Sequence, residues 1–417
     1  MNIRRDRYLT ELIDRMGNGM IKIVTGLRRV GKSYLLFHLF TDYLKSNGID
    51  DAHIITMDLD NLENSEFRNP ITLLHYIKAK ITDKKMHYIL LDEVQMIENF
   101  EGLLNSLLHI ENADVYVTGS NSKFLSKDVI TEFRGRGDEV HLYPLSFAEF
   151  MSVYPGNKYD GWKEYMTFGG LPFVLSRKSP QQKSEYLKTL FTETYLRDII
   201  ARHNIRQNKS IDTLLDILSS SVGSLTNPLR IANTFKSVNK EYISANTIGK
   251  YLDALEDSFL ISGVKRYNIR GRHYIGSPLK YYFEDVGLRN ARLNFRQQEE
   301  NYIMENIIYV ELKRRGFDVD VGVVEKSMRD ENGKVIRKNL EVDFVANKGY
   351  KRFYVQSAFT YYEPEKIAQE EASLLSIDDS FQRVIVVGGN AGMKYMNNNG
   401  FLVVGLLEFL LDENMVN

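Results

Sequence analysis

The 417-residue sequence contains no cysteine. This absence excludes disulfide bonds, zinc sites built on thiolates and cysteine nucleophiles. It also fits a reducing compartment, and we expect a cytoplasmic protein.

The chain also lacks an excess of charge of either sign. Lys and Arg number 54 against 55 Asp and Glu, which gives a formal net charge of -1. A protein that coats nucleic acid with its whole surface is strongly basic. Any contact with nucleic acid must therefore be confined to a local patch.

Long apolar runs, internal repeats and low-complexity tracts are missing as well. No stretch approaches the ~18 uninterrupted apolar residues of a membrane span, and the first 20 residues lack the apolar segment of a signal peptide. We expect a soluble protein with no membrane partner. With 43% hydrophobic residues the chain can bury proper cores, and its length predicts roughly three domains.

Between Ile21 and Leu142, short apolar runs alternate with longer amphipathic ones. Strands that alternate with helices indicate an α/β fold with a mostly parallel sheet. Downstream, the pattern is helical from Asn157 to Asn204. A mixed α/β pattern begins near Asn301.

A phosphate-binding loop is predicted directly after the apolar run IKIVT. The segment from Gly26 to Ser33 fits G-x-x-x-x-G-K-[ST] and precedes a helix-like segment. The glycines let backbone N–H groups surround the phosphates of ATP, while Lys32 reaches them and Ser33 binds Mg²⁺. The alternative is a Gly-rich turn with an incidental Lys-Ser pair. The predicted nucleotide-binding residues in this segment are Gly26, Arg29, Val30, Gly31, Lys32, Ser33 and Tyr34.

Two adjacent carboxylates end the apolar run Tyr88 to Leu91. Strands of parallel sheets present functional groups at their carboxyl ends, where ligands bind. We expect Asp92 to hold the Mg²⁺ ion and Glu93 to polarise the attacking water as general base. The alternative is a strand that simply leaves the core.

Two further segments carry candidate catalytic side chains. The run Ala113 to Gly119 leads to Asn121, and to Ser120 as second choice, either of which could sense the γ-phosphate; a helix N-cap is the alternative. Arg134 and Arg136 lie on a Gly-containing loop. In an oligomer, one of them could stabilise the transferred phosphoryl group in a neighbour's site. A solvated loop arginine is the alternative.

Residues 210–278 show short helical patterns followed by two strand-like runs, which is the outline of a winged helix. Residues 264–296 hold eight Lys or Arg against two acids, a net charge of +6 in 33 residues. With interleaved tyrosines, such a strip suits a phosphate backbone, and DNA is the expected ligand. A solvated face or a protein-binding surface is the alternative. The first candidates for nucleic-acid contacts are Lys265, Arg266, Arg270 and Arg272.

These motifs together resemble an AAA+ P-loop ATPase of the archaeal type, followed by a winged helix and a nuclease-like domain of unknown function. The segments RDRYLTELI, TGLRRVGKS, ILLDEVQ, VTGSNSKFLS, FRGR and FGGLPFVL occur in family-like order. The resemblance implies an ATPase domain at 1–156, a helical lid or linker at 157–208, a winged helix at 209–295 and a nuclease-like domain at 296–417. It also implies that Pro172, in the turn that begins at Gly169, lies near the adenine. The same turn could merely break a helix.

The C-terminal region looks like the PD-(D/E)xK nuclease fold. Its candidate acidic or polar positions are Glu305, Asp343 and Gln356. The pattern breaks at Ala358, where that fold has a lysine that activates water, although Lys366 could substitute. We therefore expect a domain retained for binding or assembly, without nuclease activity.

The sequence predicts a magnesium-dependent ATPase whose conformational changes are coupled to DNA binding, and the resemblance favours a homo-oligomer. Two alternatives remain. The first is a nucleotide-dependent switch or scaffold for protein partners with little turnover, because binding and hydrolysis are separable. The second is an ATP-powered nuclease.

Overall fold

A computed structural model of the chain describes residues 3–119, 135–203, 205, 208–240, 242–296, 299–329, 335–389 and 392–416. Two compact units are distinguished. The first comprises Met1–Pro144 with Asp257–Phe259, and the second comprises Leu145–Glu256 with Leu260–Asn417.

The first unit contains a five-stranded sheet in which all neighbouring strands are parallel. The strand order is β2-β3-β4-β1-β5. The parallel α/β sheet predicted from the alternation of strands and helices is therefore confirmed. The strands β1 to β5 are Ile21–Thr25, Ile54–Asp58, His87–Asp92, Ala113–Thr118 and Gly137–His141.

Strands β1 and β3 are buried along their whole length, as expected for strands covered by helices on both faces. One apolar cluster joins side chains of four strands, including Ile23, Ile55, Leu91 and Val117. The α-helices of this unit are Asp6–Ile13, Lys32–Tyr34, Thr41–Ser46, Pro70–Lys80 and Phe100–Leu108; Leu35–Phe40 is π-helical, and Asp51–His53, Leu62–Arg68 and Val94–Met96 are 3₁₀-helical.

The second unit begins with helices. Many of them start with a side-chain cap, as at Asn157, Ser179 and Asn227, where the side chain accepts a hydrogen bond from a backbone N–H group of the first turn. The α-helices of this unit are Phe147–Met151, Lys158–Phe168, Pro180–Thr189, Arg197–Arg202, Asn208–Ser220, Pro228–Thr234, Ala245–Asp257, Val286–Arg292, Glu300–Arg314, Pro364–Leu375 and Leu406–Leu411. The segments Leu190–Leu196 and Phe235–Asn239 are π-helical, and Pro172–Ser176 is 3₁₀-helical. None of the described helices is both long and apolar enough to cross a membrane.

An eight-stranded mixed sheet completes the second unit, in the order β12-β13-β11-β10-β9-β8-β6-β7. The hairpin of β6 and β7 joins it because β6 pairs in parallel with β8, with Tyr267 opposite Gly322. The sheet thus runs across the predicted boundary at residue 295. The division of this region into domains stays a prediction. The strands β6 to β13 are Ile261–Asn268, His273–Phe283, Asp318–Arg329, Val335–Lys348, Lys351–Ala358, Gln382–Val387, Lys394–Met396 and Leu402–Gly405.

Candidate functional site

The predicted phosphate loop connects the carboxyl end of β1 to the helix that begins at Lys32. Its backbone has positive φ at Gly26 (133°), Arg29 (65°) and Gly31 (104°). A side chain at Gly26 would bring its Cβ to 2.2 Å from the carbonyl oxygen of Leu142, so only glycine fits there. Such turns are typical of concave loops whose backbone N–H groups bind anions.

Lys32 is held inside this loop and is only 5% exposed. Its Nζ donates hydrogen bonds of 3.0 Å to the carbonyl oxygens of Gly26 and Leu27. The loop therefore holds an ammonium group against its own backbone. A phosphate that entered the loop would find a cation already in place.

Arg5 fixes the loop from the N-terminal side, although it is not among the predicted site residues. Its guanidinium donates to the carbonyl oxygens of Val30 (3.3 Å) and Tyr143 (2.5 Å) and lies 4.7 Å from the centre of the Tyr8 ring. Arg5 is 3% exposed. It thus links the first helix, the phosphate loop and the segment after β5. The ring of Tyr34, also a predicted site residue, lies 5.1 Å from that of His38 and is tilted by 34° to it.

Asp92 ends β3 as predicted and lies next to the phosphate loop. Burial raises the pKa of the Asp92 carboxyl, while hydrogen bonds from Ser33 and Thr118 lower it and the charges of Glu93 and Asp58 raise it. The hydroxyl of Ser33 and the carboxylate of Asp92 are therefore in direct contact. Both are oxygen ligands of the kind that Mg²⁺ prefers.

Thr118, the last residue of β4, connects the two acidic residues. Its hydroxyl donates to Asp92 Oδ1 and accepts a 2.9 Å hydrogen bond from the Glu93 backbone N–H. Glu93 has a left-handed backbone with φ of 54°, and its Oε2 accepts a hydrogen bond from Gln95 Nε2. Residues with side chains are rarely found at positive φ without such support. The structure thus brings Ser33, Asp92 and Glu93 together at one edge of the sheet.

Of the candidate catalytic residues that follow β4, the structure describes only Arg136. Asn121, Ser120 and Arg134 lie outside the described residues. Arg136 is exposed and directly precedes β5, and its carbonyl accepts from the N–H of Ile21, the first residue of β1. It therefore lies at the amino edge of the parallel sheet, opposite the edge that carries the phosphate loop.

The turn that contains Pro172 is anchored within the second unit. Gly169 ends the helix Lys158–Phe168 with φ of 74°, and the N–H of Gly170 donates to Asp285 Oδ2 at 2.7 Å. A Cβ at Gly169 would lie 2.3 Å from Asp285 Oδ1. Burial raises the pKa of Asp285 to about 6, although hydrogen bonds from backbone N–H groups oppose this shift. The glycines thus have a packing role, and the proximity of Pro172 to the adenine stays a prediction.

Three of the eight basic residues in 264–296 are internal to the second unit. Arg289 is buried, and Arg292 forms ion pairs with Asp212 (2.6 Å) and Asp216 (2.7 Å). Lys280 is also buried. The net charge of +6 predicted from the sequence is therefore not displayed on one surface, because Arg289 and Arg292 lie on a helix packed within the unit and the side chain of Lys280 is buried.

The four candidate nucleic-acid contacts lie on the β6–β7 hairpin. Lys265, Arg270 and Arg272 are exposed, and Arg266 is half-buried. Arg270 pairs with Asp378 at 2.9 Å. Lys265 and Arg272 are the hairpin cations best placed to contact an external phosphate.

The acids of the predicted nuclease-like region converge on a lysine that the sequence did not indicate. Lys280, on β7, is 3% exposed, and its Nζ lies 2.8 Å from Glu305, 2.8 Å from Glu341 and 3.9 Å from Asp343. Burial lowers the pKa of Lys280, but the three carboxylates together raise it well above its usual value. Asp343, which also accepts from the Ser357 N–H, has its pKa raised by burial and by the charge of Glu305.

Glu305, Glu341 and Asp343 line a cavity with a volume of about 500 Å³, and Gln356 lines it as well. Its Nε2 donates to Glu370 at 3.0 Å, while its buried Oε1 lacks a partner among the described residues. Lys366, the substitute considered for the missing lysine, also lines this cavity. The predicted residues Glu305, Asp343 and Gln356 are thus gathered in one place.

Comparison with known proteins identifies the class. Residues 18–151 match the family model described as AAA domain, and residues 159–299 match a domain of unknown function. This match agrees with the all-parallel sheet and the phosphate loop, so residues 18–151 form an AAA domain. These two matches end at residue 299, and the nuclease-like C-terminal domain stays a prediction.

The full chain has relatives of similar length. It is 32% identical over 418 residues to an uncharacterized protein from Haemophilus influenzae, and the alignment covers 98% of both chains. The chain belongs to the same family as this protein. It is also 29% identical over 376 residues to uncharacterized protein MJ1544 from Methanocaldococcus jannaschii, with 86% of this chain and 79% of that protein covered. Among solved structures, Cdc6p from Pyrobaculum aerophilum is similar at 11% identity with a TM-score of 0.31, over 73% of this chain and 94% of that one.

Proposed function

We propose that the chain hydrolyses ATP in a magnesium-dependent reaction and that hydrolysis drives a conformational change coupled to DNA binding. The observation that supports hydrolysis most directly is the contact between Ser33 and Asp92, with Glu93 held beside them by Thr118. A loop that only bound phosphate would not need two adjacent acids fixed by a shared hydroxyl.

The residues at this edge fit a magnesium ion. The Ser33 hydroxyl and the Asp92 carboxylate supply neighbouring oxygen atoms, and hard divalent cations prefer such ligands. When bound with ATP, Mg²⁺ neutralises negative charge that develops during phosphoryl transfer. Lys32 adds a fixed positive charge inside the loop.

Glu93 is the proposed general base. Its backbone conformation at φ of 54° turns the chain directly after Asp92, so Glu93 does not continue the strand that ends there. Its hydrogen bond with Gln95 orients the carboxylate. A positioned base of this kind typically contributes about 10²- to 10⁴-fold to the rate.

The first experiment is steady-state ATP hydrolysis by the full chain, with and without duplex and single-stranded DNA. We expect turnover that DNA stimulates, and we expect Glu93→Gln to lose about 10²-fold or more in kcat while ATP binding is retained. The exposed Glu98→Gln is the matched control, because it makes the same change five residues away outside the site. Lys32→Ala should lose ATP binding itself.

Two results would contradict parts of the proposal. Unchanged ATP affinity and hydrolysis in Lys32→Ala would remove the site assignment. Tight ATP binding without turnover in the wild type would refute hydrolysis and favour the switch or scaffold that acts on protein partners.

DNA coupling is tested separately on the hairpin. We expect Lys265→Ala with Arg272→Ala to weaken DNA binding for all sequences and to reduce the slope of log K against log salt by about 2, since each cation neutralises one phosphate. The exposed Lys78→Ala of the first unit is the control. Equal DNA affinity of the double variant and the wild type would exclude the hairpin as the contact.

The position of Lys280 favours a second candidate function, an ATP-powered nuclease. Ala358 leaves the expected lysine position without a charge, yet Lys280 places an ammonium among Glu305, Glu341 and Asp343. Such a cation could stabilise charge on a phosphate under attack. Cleavage of DNA or RNA that requires Mg²⁺ or Mn²⁺ and is lost in Asp343→Ala would support it. The absence of cleavage over a broad substrate panel would remove it.

A further inference from the structure

We propose that His53, Asp83 and His87 bind a transition metal ion of the Zn²⁺ type at the amino edge of the first unit's sheet. One potential ligand atom from each of the three residues lies within 4.8 Å of the others. His53 directly precedes β2, and His87 is the first residue of β3. Because β1, β2 and β3 are parallel, this edge is opposite the one that carries the phosphate loop. The inference does not depend on the proposed ATPase function.

His87 supplies the observation that points to a ligand. The residue is completely buried, and its Nδ1 lies 2.8 Å from the carbonyl oxygen of Lys85. A carbonyl only accepts, so Nδ1 carries the proton and Nε2 has a free lone pair. Nε2 is buried and has no partner among the described residues. Buried polar atoms without partners are uncommon, and a metal ion would satisfy this one.

His53 and Asp83 complete the group. His53 Nε2 lies 3.0 Å from Asp83 Oδ2, and the rings of His53 and His87 are 4.8 Å apart. A metal ion bound between these two residues would take the place of the hydrogen bond that joins His53 to Asp83. Asp83 lies on a loop and its side chain is 43% exposed, which allows it to move the short distance that coordination requires.

The surrounding backbone orients these side chains. The N–H of Lys85 donates to Asp83 Oδ1 at 2.8 Å, and the carbonyl of the same residue fixes the ring of His87. Asn112 Nδ2 in turn donates to the carbonyls of Asp83 and Lys85. Metal sites typically have such an outer layer of hydrogen bonds, which fixes the tautomer and direction of each ligand.

The chemistry of the donors selects the metal. Two imidazoles and one carboxylate suit Zn²⁺, Co²⁺ or Ni²⁺ and not Mg²⁺ or Ca²⁺, which prefer sites made only of oxygen. Three protein ligands leave a fourth tetrahedral position for water.

The test uses the full chain without nucleotide, in excess Mg²⁺, titrated with Co²⁺ and then with Zn²⁺. We expect one Co²⁺ per chain with the visible absorption bands of tetrahedral cobalt, displaced by Zn²⁺. His53→Ala and Asp83→Ala should weaken binding by about 100-fold, and His75→Ala, an exposed histidine of the same unit, should not. Zn²⁺ should raise the melting temperature of the wild type and not of Asp83→Ala.

Asp83→Ala serves as the main variant because the exposed side chain can be removed without opening the core. His87→Ala removes a fully buried side chain, so its loss of binding counts only if its circular dichroism matches that of the wild type. Absence of a stoichiometric cobalt site in the wild type would overturn the proposal. So would affinities in His53→Ala and Asp83→Ala equal to that of the wild type.

Discussion

Replacing Thr118 with valine should uncouple the two acidic residues of the nucleotide site while keeping the shape of the core. Thr118 is fully buried, and valine has nearly the same volume. The change removes the hydrogen bond to Asp92 and leaves the Glu93 N–H without its 2.9 Å partner. It therefore tests whether one hydroxyl holds both carboxylates in place.

The size of the effect follows from those two hydrogen bonds. A hydrogen bond to a charged group contributes about 1.5–3 kcal/mol, and the half-buried N–H of Glu93 adds about 1 kcal/mol when left unpaired. Burial of the methyl group that valine has in place of the hydroxyl stabilises the fold by less than ~1 kcal/mol. We expect a net loss of about 2–3 kcal/mol in the local stability of β3 and β4. The loss should be accompanied by a fall of about 10-fold or more in ATP turnover, because Glu93 is no longer fixed.

Local stability has to be measured in the first unit. The single tryptophan, Trp162, lies in the second unit, so its fluorescence does not report on β3 and β4. Hydrogen exchange of peptides from β3 and β4 should accelerate in Thr118→Val, while the Trp162 unfolding transition stays unchanged. Thr118→Ser should restore both exchange and turnover. Wild-type exchange and turnover in Thr118→Val would refute the reasoning.

Three further predictions concern other buried or exposed charges. Lys22 is fully buried and paired with Asp114, so Asp114→Ala leaves it without a counter-charge. We expect the stability of the first unit, measured by hydrogen exchange, to fall by about 3–5 kcal/mol. The double variant Lys22→Met with Asp114→Leu should lose much less stability, and an equal loss would contradict this expectation. Arg136→Ala should lower ATP turnover on the order of 10³-fold without loss of ATP binding. If the arginine acts on a neighbour's site, a mixture of the Arg136→Ala and Glu93→Gln proteins should recover ATP turnover. A mixture without recovery would exclude that role. Burial raises the pKa of Asp285 to about 6, so the folded state keeps a proton on this carboxyl at a pH where the unfolded state has lost it. Asp285 therefore stabilises the fold at low pH, and this stabilisation is lost as the pH rises through about 6. Relative to Asp285→Asn, the wild type should lose roughly 2–3 kcal/mol between pH 4 and 7 in urea unfolding followed by Trp162 fluorescence, and a flat difference would contradict the shift.

The nucleotide site was predictable from sequence because its chemistry lies in short segments. Gly31, Lys32 and Ser33 are consecutive, and Asp92 and Glu93 directly follow an apolar strand. Alternating strands and helices also predict a parallel sheet, and parallel strands bring their carboxyl ends to one edge. The alternation of strands and helices does not predict the order of the strands within the sheet.

The role of Thr118 depends on that strand order. Because β4 lies between β3 and β1, the last residue of β4 reaches Asp92. The sequence indicates only the end of a strand at Thr118, and the first candidate for a catalytic side chain there is Asn121. The role of Arg5 could not be predicted either, because its partners Val30 and Tyr143 are distant from it in sequence.

The C-terminal region shows a second limit. A count of charges along residues 264–296 cannot separate the two faces of a strand. The structure buries Lys280 while Lys265 and Arg272 remain exposed. Lys280 meets Glu305 and Asp343 only because the hairpin β6–β7 joins the sheet of β8 and β9. That parallel pairing of β6 with β8 has no signature in the sequence of either strand.

Strand β3 links the two ends of the first unit's sheet. His87 begins it at the proposed metal site, and Asp92 ends it at the nucleotide site. Its pairing with β2 runs from Ile54 opposite Tyr88 to Asp58 opposite Asp92. A slip of one residue would turn Asp92 to the other face of the sheet, away from Ser33. A metal ion that joins His53 and His87 would fix this register at the amino edge, so its removal should loosen the position of Asp92 without a direct contact to the nucleotide.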